Sequence, residues 1–327
     1  MSTIAKRFSA DALCIDCEKE TERISRCLNE YLDMYKKRGF VVALSGGIDS
    51  SVVGALCVQA VGSERVLGLS MPEKDSSADT LMLSKMVADS LGIDKIGEDI
   101  TRVLEAVGCY RRRDEAIKSV IPEYNSNYKC KIVLPGVLDD DQYRVFSVVV
   151  ESPEGIQTKA RLSAEAYLGI VAASNFKQRI RKMFEYYHAD RLNYVVTGTP
   201  NRQEYDQGFF VKNGDGSADI KPIAHLYKTQ VYQLAKYLGV PQEIQNRPPT
   251  TDTYSMEQSQ EEFYFSVPYG KMDLCLFGKN NDIDFEEVAA AAELTVEQLE
   301  RVYKDIDSKR KATKYLQRGP VLIQEVF

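Results

Sequence analysis

The chain has 327 residues, of which 44% are apolar and 28% are charged, and its formal net charge is −6. This length and apolar content predict a globular protein with a full core. The weakly acidic balance argues against nonspecific nucleic-acid binding, and the lack of an apolar run of about 18 residues argues against a membrane span. Seven scattered cysteines and an N-terminus without an apolar core predict reduced thiols and a cytoplasmic location.

Helical and extended hydrophobic patterns alternate along the first third of the chain. The predicted helices cover 11–38, the stretch after the 45–51 loop to about 61, 78–91 and 100–107, and the predicted strands cover 40–44, 66–71 and 95–97. Ser76 or Ser77 is expected to cap the helix over 78–91. This alternation predicts an α/β fold with a doubly wound, Rossmann-like parallel sheet and helices on both faces.

The alternation is interrupted between about 110 and 162. Strand patterns over 131–134 and 143–150, separated by turn signals such as 139–141, predict a β-rich insertion there. Beyond it, the predicted elements are a long helix over 163–191, a strand over 193–197 and helices over 283–292 and 295–304. We therefore expect a single domain, 1–327, that carries one inserted segment.

The segment 45–51 reads S-G-G-I-D-S-S and lies between a buried strand and an apolar helix. Glycines let the backbone approach an anion, and the free N–H groups at a helix start favour a phosphate. Asp49 would repel that phosphate unless a cation lay between them, which predicts a magnesium ligand. The segment lacks the lysine of a Walker A loop and resembles the S-G-G-x-D-S loop of ATP pyrophosphatases.

Motifs in the second half make the resemblance more specific. The segment 198–204 reads G-T-P-N-R-Q-E, 214–219 reads G-D-G-S-A-D, 227–231 reads Y-K-T-Q-V and 249–252 reads P-T-T-D. In this order they resemble the ammonia-dependent NAD synthetases, which amidate nicotinic acid adenine dinucleotide. The resemblance covers about 39–107 and 163–327. It implies an ATP-dependent carbon–nitrogen ligase that forms AMP and pyrophosphate, with ATP and Mg²⁺ as cofactors.

The resemblance also implies roles for individual residues. The magnesium ligands are Asp49 and Glu204. The ATP contacts are Ser45, Gly46, Gly47, Asp49, Ser50, Ser51, Arg179, Thr199 and Lys228. The catalytic residues are Asp49, Lys228 and Thr250, and the substrate-binding residues are Lys212, Asp215, Asp219 and Lys309.

The same resemblance implies partners. The family forms homodimers, and apolar positions of the helix over 163–191 are candidates for the interface; they are Ala166, Tyr167, Ile170, Val171 and Met183. Only about 40 residues precede the phosphate loop, so we expect no glutaminase domain and a supply of ammonia that is free or comes from a separate glutaminase. We expect no nucleic-acid or membrane partner.

Departures from the family pattern fall near the expected acceptor pocket. Val211 and Asn213 replace a hydroxyl and an aromatic residue, and Ala224-His225 replaces Gly-Asp. They leave open a relative that amidates a different carboxylate. A non-enzymatic nucleotide binder is a second alternative, which both metal carboxylates and Lys228 argue against. A tRNA-modifying relative is a third, and the acidic charge argues against it.

Overall fold

The computed structural model describes residues 7–138, 145–250 and 253–324. The strands are β1 (Phe40–Ala43), β2 (Val66–Ser70), β3 (Asp94–Gly97), β4 (Lys129–Val133), β5 (Ser147–Glu151), β6 (Gln157–Arg161) and β7 (Val195–Thr197). The helices are α1 (Cys17–Tyr35), α2 (Ile48–Val61), α3 (Ala78–Leu91), α4 (Thr101–Ala106), α5 (Cys109–Lys118), α6 (Ala164–Leu192), α7 (Arg202–Gln207), α8 (Lys228–Tyr237), α9 (Gln242–Asn246), α10 (Tyr269–Asn280), α11 (Phe285–Ala291) and α12 (Val296–Thr313). A π-helical turn spans Glu261–Phe265.

Four parallel strands form the central sheet in the order β3-β2-β1-β7, which confirms the predicted α/β class. Phe40 of β1 lies opposite Val66 on one side and Val195 on the other. The side chains of β1 alternate between two cores: Phe40 and Val42 pack with α1, α2, α3 and α8, whereas Val41 packs with α4, α5 and α6. Helices therefore cover both faces of the sheet, as the strand–helix alternation predicts.

The predicted elements of the first third are present with shifted ends. The first helix begins at Cys17, after an Asp16 cap, rather than at 11, because a short 3₁₀ turn precedes it. Ser77 caps α3, as one of the two predicted serines. At the other end of the chain, Thr295 and Gln298 form a capping box, and α12 continues nine residues beyond the predicted end at 304.

The segment 110–162 is only partly β-structure. Its first residues belong to α5, which packs on α6, and the β-structure is the antiparallel sheet β4-β5-β6. The strand β6 was not predicted, because its buried positions are few. The sheet buries Ile132, Val148 and Val150 against α6. The predicted turn over 139–141 and the start of the predicted strand over 143–150 lie outside the described residues.

A third layer comes from the C-terminal helices. α10, α11 and α12 share a core that includes Met272, Leu276 and Val302, and Tyr227, the residue that precedes α8, packs into it. This layer therefore touches the sheet domain where α8 begins. The contact matters below, because α8 carries one of the predicted catalytic side chains.

Candidate active site

A cavity of about 450 Å³ lies at the carboxyl ends of β1, β2 and β7. Ligand sites of open parallel sheets form at this edge, since the loops that follow the strands converge there. Predicted site residues that line the cavity are Ser45, Gly47, Asp49, Ser50, Thr199, Glu204, Asp215, Lys228 and Thr250. The structure thus brings together most of the predicted ATP, metal and catalytic residues.

The phosphate loop opens the N-terminus of α2 toward this cavity. Gly47 is the N-cap, and no side chain of the described residues caps the first N–H groups of this 14-residue helix. The hydroxyls of Ser50 and Ser51 donate instead to the Gly47 carbonyl oxygen, at 3.0 and 2.8 Å. The helix start is therefore a preformed anion site that uses backbone N–H groups and the helix dipole.

Gly46 does not line the cavity, and its role is conformational. Its φ is +74°, and a Cβ there would lie 2.7 Å from the Cβ of Leu83 on α3. Only glycine fits this close approach at positive φ. Ser51 is buried and is likewise absent from the cavity wall. Both residues therefore shape the loop, and their contact with ATP stays a prediction.

Three charged side chains meet beside the loop. The Lys228 Nζ donates to Asp49 Oδ2, and the Asn201 Nδ2 donates to Asp49 Oδ1 at 3.1 Å. Glu204 Oε2 accepts a hydrogen bond from the Asn201 backbone N at 3.1 Å, and Gln260 donates to Glu204 Oε1 at 3.0 Å. Asn201 thus links the two carboxylates that the sequence predicts as metal ligands.

This group contains two acidic side chains, Asp49 and Glu204, and one basic side chain, Lys228. Burial, together with the negative charge of Asp49, raises the pKa of Glu204 to about 8, and the Lys228 ammonium offsets part of that rise. Burial alone would lower the pKa of Lys228, but Asp49 and Glu204 raise it, so the lysine stays protonated. Two carboxylates that share one cation favour a further positive charge.

The donor set suits magnesium bound together with a polyphosphate. Mg²⁺ takes oxygen ligands and is usually held by one or two carboxylates plus substrate phosphates. Asp49 and Glu204 supply two carboxylates next to an open helix N-terminus. Within 7–138, 145–250 and 253–324, no group of three or more His, Cys, Asp or Glu side chains is placed to hold a metal ion. The site therefore fits a metal that arrives with the nucleotide.

Basic residues of α6 reach the cavity on one helix face only. Lys177 and Arg181 line the cavity, whereas Arg179 is exposed and donates to the Lys212 carbonyl oxygen at 3.3 Å. Residues four apart lie on the same face of a helix, and residues two apart do not. In this chain Arg179 therefore lies outside the cavity lining, and its contact with ATP stays a prediction.

The 208–219 loop uses its predicted substrate residues internally. Lys212 Nζ donates to the carbonyl oxygens of Tyr315 and Arg318, at 2.9 and 3.1 Å. Asp219 accepts a hydrogen bond from the Val196 backbone N at 2.8 Å. Asp215 accepts one from the Val211 N at 2.7 Å and is the member of this group that also faces the cavity.

Lys309 was predicted to bind the dinucleotide, and it lies behind the cavity wall. Its Nζ donates to the Tyr264 carbonyl oxygen at 2.6 Å and lies 4.5 Å from the centroid of the Tyr264 ring. In this single chain Lys212, Asp219 and Lys309 therefore support the walls rather than line the cavity, because each is bound to groups of the chain itself.

The altered positions of the second half separate into two places. Val211 lines the main cavity, but Ala224 and His225 line a different surface groove. His225 Nε2 lies 2.7 Å from Glu20 Oε1, so it connects the loop before α8 to α1. Ala224 and His225 therefore lie apart from the main cavity, and the expectation that they flank the acceptor pocket stays a prediction.

Aromatic side chains form part of the cavity wall. Phe146 stacks on Tyr167 with ring centroids 4.2 Å apart, and both line the cavity. Phe263, Tyr254 and Phe209 of the second half also line the cavity, and the Phe263 ring centroid lies 5.8 Å from those of the other two. The cavity therefore has a charged end for phosphates and an aromatic end that can hold a flat ring.

The predicted interface positions of α6 are mostly buried. Ala166 and Ile170 pack against the β4-β5-β6 sheet, and Val171 lines the cavity, so these residues are not available to a second chain. The exposed apolar side chains of α6 are Leu168, Met183 and Tyr187. They follow one another on the outer face of the helix, which is the face that also carries Arg179.

Sequence reasoning missed three residues next to the charged group: Asn201, Gln260 and Asp273. Asn201 lies inside the G-T-P-N motif and is the N-cap of α7, so a capping signal was present. Asp273 is an acidic residue inside the apolar run 272–276, a pattern that indicates a buried charge. Gln260 carries no local signal, because the fold of the loop alone brings it to Glu204.

All seven cysteines are free, as expected for reduced thiols. Among the described residues, the helices include none whose length and apolar content would let it cross a bilayer.

Comparisons with known proteins show the family. A family model described as NAD synthase matches residues 20–132 and 147–315. The "NH(3)-dependent NAD(+) synthetase" of Rhizobium meliloti (strain 1021) is 58% identical over 319 residues, which cover 98% of this chain and 96% of that protein. The protein of the same name from Mesorhizobium japonicum is 59% identical over 315 residues, with 96% and 99% covered.

Solved structures support the fold. The NMN synthetase of Francisella tularensis superposes with a TM-score of 0.65 at 21% identity, covering 96% of this chain and all of that one. Most of the segment 110–162 falls inside the family match, and only 133–146 lies between the two matched ranges. The part that departs from the family is therefore the connection between β4 and β5, which ends at Phe146.

Proposed function

We propose, because this chain belongs to the NAD synthase family, that it makes NAD by amidating nicotinic acid adenine dinucleotide with ammonia at the expense of ATP. The observation that carries the proposal is the meeting of Asp49, Glu204 and Lys228 at the open start of α2. Relatives of the same printed name at 53–59% identity favour this acceptor over a different carboxylate.

The proposed nucleotide site is the charged end of the cavity. The triphosphate would accept hydrogen bonds from the N–H groups at the start of α2, with Ser45 and Thr199 nearby. Asp49 and Glu204 would hold magnesium, whose charge offsets the phosphate oxygens. Lys228 would stabilise the reacting phosphate, and Thr250 lies at the same cavity.

The proposed chemistry needs no protein nucleophile. An oxygen of the nicotinate carboxylate attacks the α-phosphorus of ATP, the bond to the β-phosphate breaks, and pyrophosphate leaves. Ammonia then attacks the acyl carbon of the adenylate, loses a proton, and AMP leaves with the shared oxygen. Negative charge grows on phosphate oxygens in the first step, which is where a fixed ammonium group such as Lys228 lowers the barrier.

The acceptor ring is proposed to lie at the aromatic end of the cavity. Val211 and Asn213 lack the hydroxyl and the ring that the family pattern supplies, and the Phe146–Tyr167 pair offers a stacking surface in their place. An aromatic pair contributes about 0.5–1.5 kcal/mol beyond the area it buries. This chain therefore can hold a nicotinate ring with side chains that differ from those of the family pattern.

We also propose a homodimer that pairs the outer faces of α6, where Leu168, Met183 and Tyr187 are exposed. A two-fold pair is the default symmetry for a self-associating patch. Free ammonia is the proposed nitrogen donor, since the relatives named as ammonia-dependent align over nearly their whole length. A reducing cytoplasm, the proposed location, would keep the seven cysteines as thiols.

Product analysis by mass spectrometry tests the function. Purified protein is incubated with ATP, Mg²⁺, ammonium and nicotinic acid adenine dinucleotide, and in parallel with glutamine in place of ammonium. We expect NAD, AMP and pyrophosphate in equal amounts with ammonium, at a rate that rises with pH as unprotonated ammonia increases. Pyrophosphate release without NAD, or equal rates with glutamine, would contradict the proposal.

A further inference from the structure

A fully buried carboxylate on α10 contacts the two helices that carry Glu204 and Lys228. Asp273, on α10, has 0% of its surface exposed. Its Oδ2 accepts a hydrogen bond from the Thr229 backbone N at 2.7 Å. Its Oδ1 accepts one from the Lys228 backbone N at 3.2 Å and one from the Gln203 Nε2 at 2.6 Å. Its described hydrogen-bond partners are all donors from the two helices that carry predicted site residues.

Each donor is adjacent to a functional side chain. Lys228 is the first residue of α8, and its ammonium group bonds to Asp49. Gln203 precedes Glu204 on α7 and also donates to the Tyr269 carbonyl oxygen, at 2.8 Å, where α10 begins. Asp273 therefore joins the backbone that holds Lys228 to the helix that holds Glu204.

Helix capping alone does not account for this carboxylate. The start of α8 already has a capping contact, because the Tyr227 backbone N donates to Gln230 Oε1 at 3.0 Å. A buried carboxylate is costly, and here burial raises the pKa of Asp273 to about 6 against the hydrogen bonds that lower it. The contact that Gln230 cannot supply is the link between α7 and α8.

We infer that Asp273 is a positioning residue, which holds the starts of α7 and α8 at a fixed separation so that Lys228 and Glu204 meet Asp49. This inference rests on the proposed function for its kinetic part only. A displacement of about 1 Å in such a group can cost about 100-fold in rate, whereas binding of the nucleotide depends on many contacts.

The first experiment compares Asp273→Asn with Asp284→Asn. The first substitution keeps the side-chain volume but turns one acceptor oxygen into a donor that faces another N–H group. Asp284 is a matched control, since it also accepts from two helix N–H groups, at 3.0 and 3.1 Å, but lies at α11. We expect kcat to fall about 10- to 100-fold in Asp273→Asn with a much smaller change in the KM for ATP, and to stay unchanged in Asp284→Asn.

A double-mutant cycle identifies the route of the effect. In a Lys228→Met background, Asp273→Asn should lower kcat by far less than in the wild type, because the group that it positions is gone. Equal losses in both backgrounds, or an unchanged kcat in Asp273→Asn, would overturn the inference. If Asp273→Asn does not fold, Gln203→Met removes the link to α7 alone and is measured in the same way.

The second readout does not depend on the reaction. Lysines are acetylated with acetic anhydride and the extent at each position is measured by mass spectrometry. Lys228 and Lys177 are both buried and ion-paired, so both should be protected in the wild type. We expect Asp273→Asn to expose Lys228 several-fold more than Lys177. Equal protection of Lys228 in variant and wild type would overturn the inference, whether or not the protein makes NAD. A protein that makes no NAD would refute only the proposed function.

Discussion

The phosphate loop and the 208–219 loop are both glycine-rich and charged, yet their charged side chains bond to different kinds of group. At the phosphate loop, Asp49 bonds to side chains of α8 and of the α7 cap, and Lys228 faces the cavity. In the 208–219 loop, Lys212 and Asp219 bond to backbone groups of the chain, and Asp219 also accepts a hydrogen bond from the Tyr186 hydroxyl at 3.2 Å. Charges paired with other side chains can exchange partners with a ligand, whereas charges that satisfy backbone groups hold the fold. We therefore expect the first loop to take part in the chemistry and the second to support the fold.

The largest effect that this comparison predicts is at the metal carboxylates. Asp49→Asn and Glu204→Gln remove a charge without a change of volume, so each should lower turnover by about 10²–10³. Pyrophosphate release measures the rate, and thermal unfolding checks that the fold is retained. Near-wild-type activity in both variants would remove the metal assignment and with it the distinction between the loops.

Formation of a dimer could change the contacts of the 208–219 loop. Arg179 lies on the outer face of α6 and bonds to the Lys212 carbonyl oxygen, so pairing of that face would bring the 208–219 loop near a second chain. We expect a dimer by light scattering at micromolar concentration, and Met183→Glu should dissociate it, because it buries a charge at the interface. Met82→Glu is the matched control, since Met82 is 58% exposed and Met183 is 53% exposed, on different helices. A monomeric wild type would refute the interface.

The sequence predicts the sheet well because buried β-branched runs and capping signals are local. Residues that are adjacent in the sequence indicate the strands β1, β2 and β3 and the phosphate loop between β1 and α2. The structure contains all of these elements. Helix periodicity could also have separated Lys177 and Arg181 from Arg179, because the relevant spacing is present in the sequence. The role of Arg179 as an ATP contact stays a prediction, because it rests on the family resemblance and not on this spacing.

The rest of the site is determined by contacts between distant parts of the chain. Gln260 reaches Glu204 across 56 residues, and Asp273 reaches Lys228 across 45. Nothing in the local sequence says which backbone group a charge will meet, so the hydrogen bonds of Lys212 and Asp219 within the chain could not be predicted, and their role in substrate binding stays a prediction. The same limit explains the interface positions of α6: apolar residues do not reveal whether a second sheet of the same chain covers them.

A smaller effect is expected at the aromatic end of the cavity. Phe146→Ala removes the ring that stacks on Tyr167, and the KM for nicotinic acid adenine dinucleotide should rise about 2- to 10-fold. The KM for ATP should change much less, since the ATP phosphates are proposed to bind at the phosphate loop. Phe285→Ala is the control, because that ring packs on Tyr303 in the C-terminal layer. An equal rise in both KM values would mean that the aromatic wall is not specific to the acceptor.

The smallest effect is expected at Lys212. The same substitution at Lys228 provides the reference for it. Lys228→Met and Lys212→Met remove the same charge and leave a chain of similar length. Lys228→Met should lower turnover by about 10²–10³, because its ammonium group is fixed beside Asp49. Lys212→Met breaks two exposed hydrogen bonds to carbonyl oxygens, and a surface change of about 0.5 kcal/mol would alter turnover about twofold. Both rates come from one pyrophosphate assay on the purified protein. A loss in Lys212→Met as large as that in Lys228→Met would show that the 208–219 loop acts on substrate, and that its backbone contacts give way when the second chain or the dinucleotide is bound.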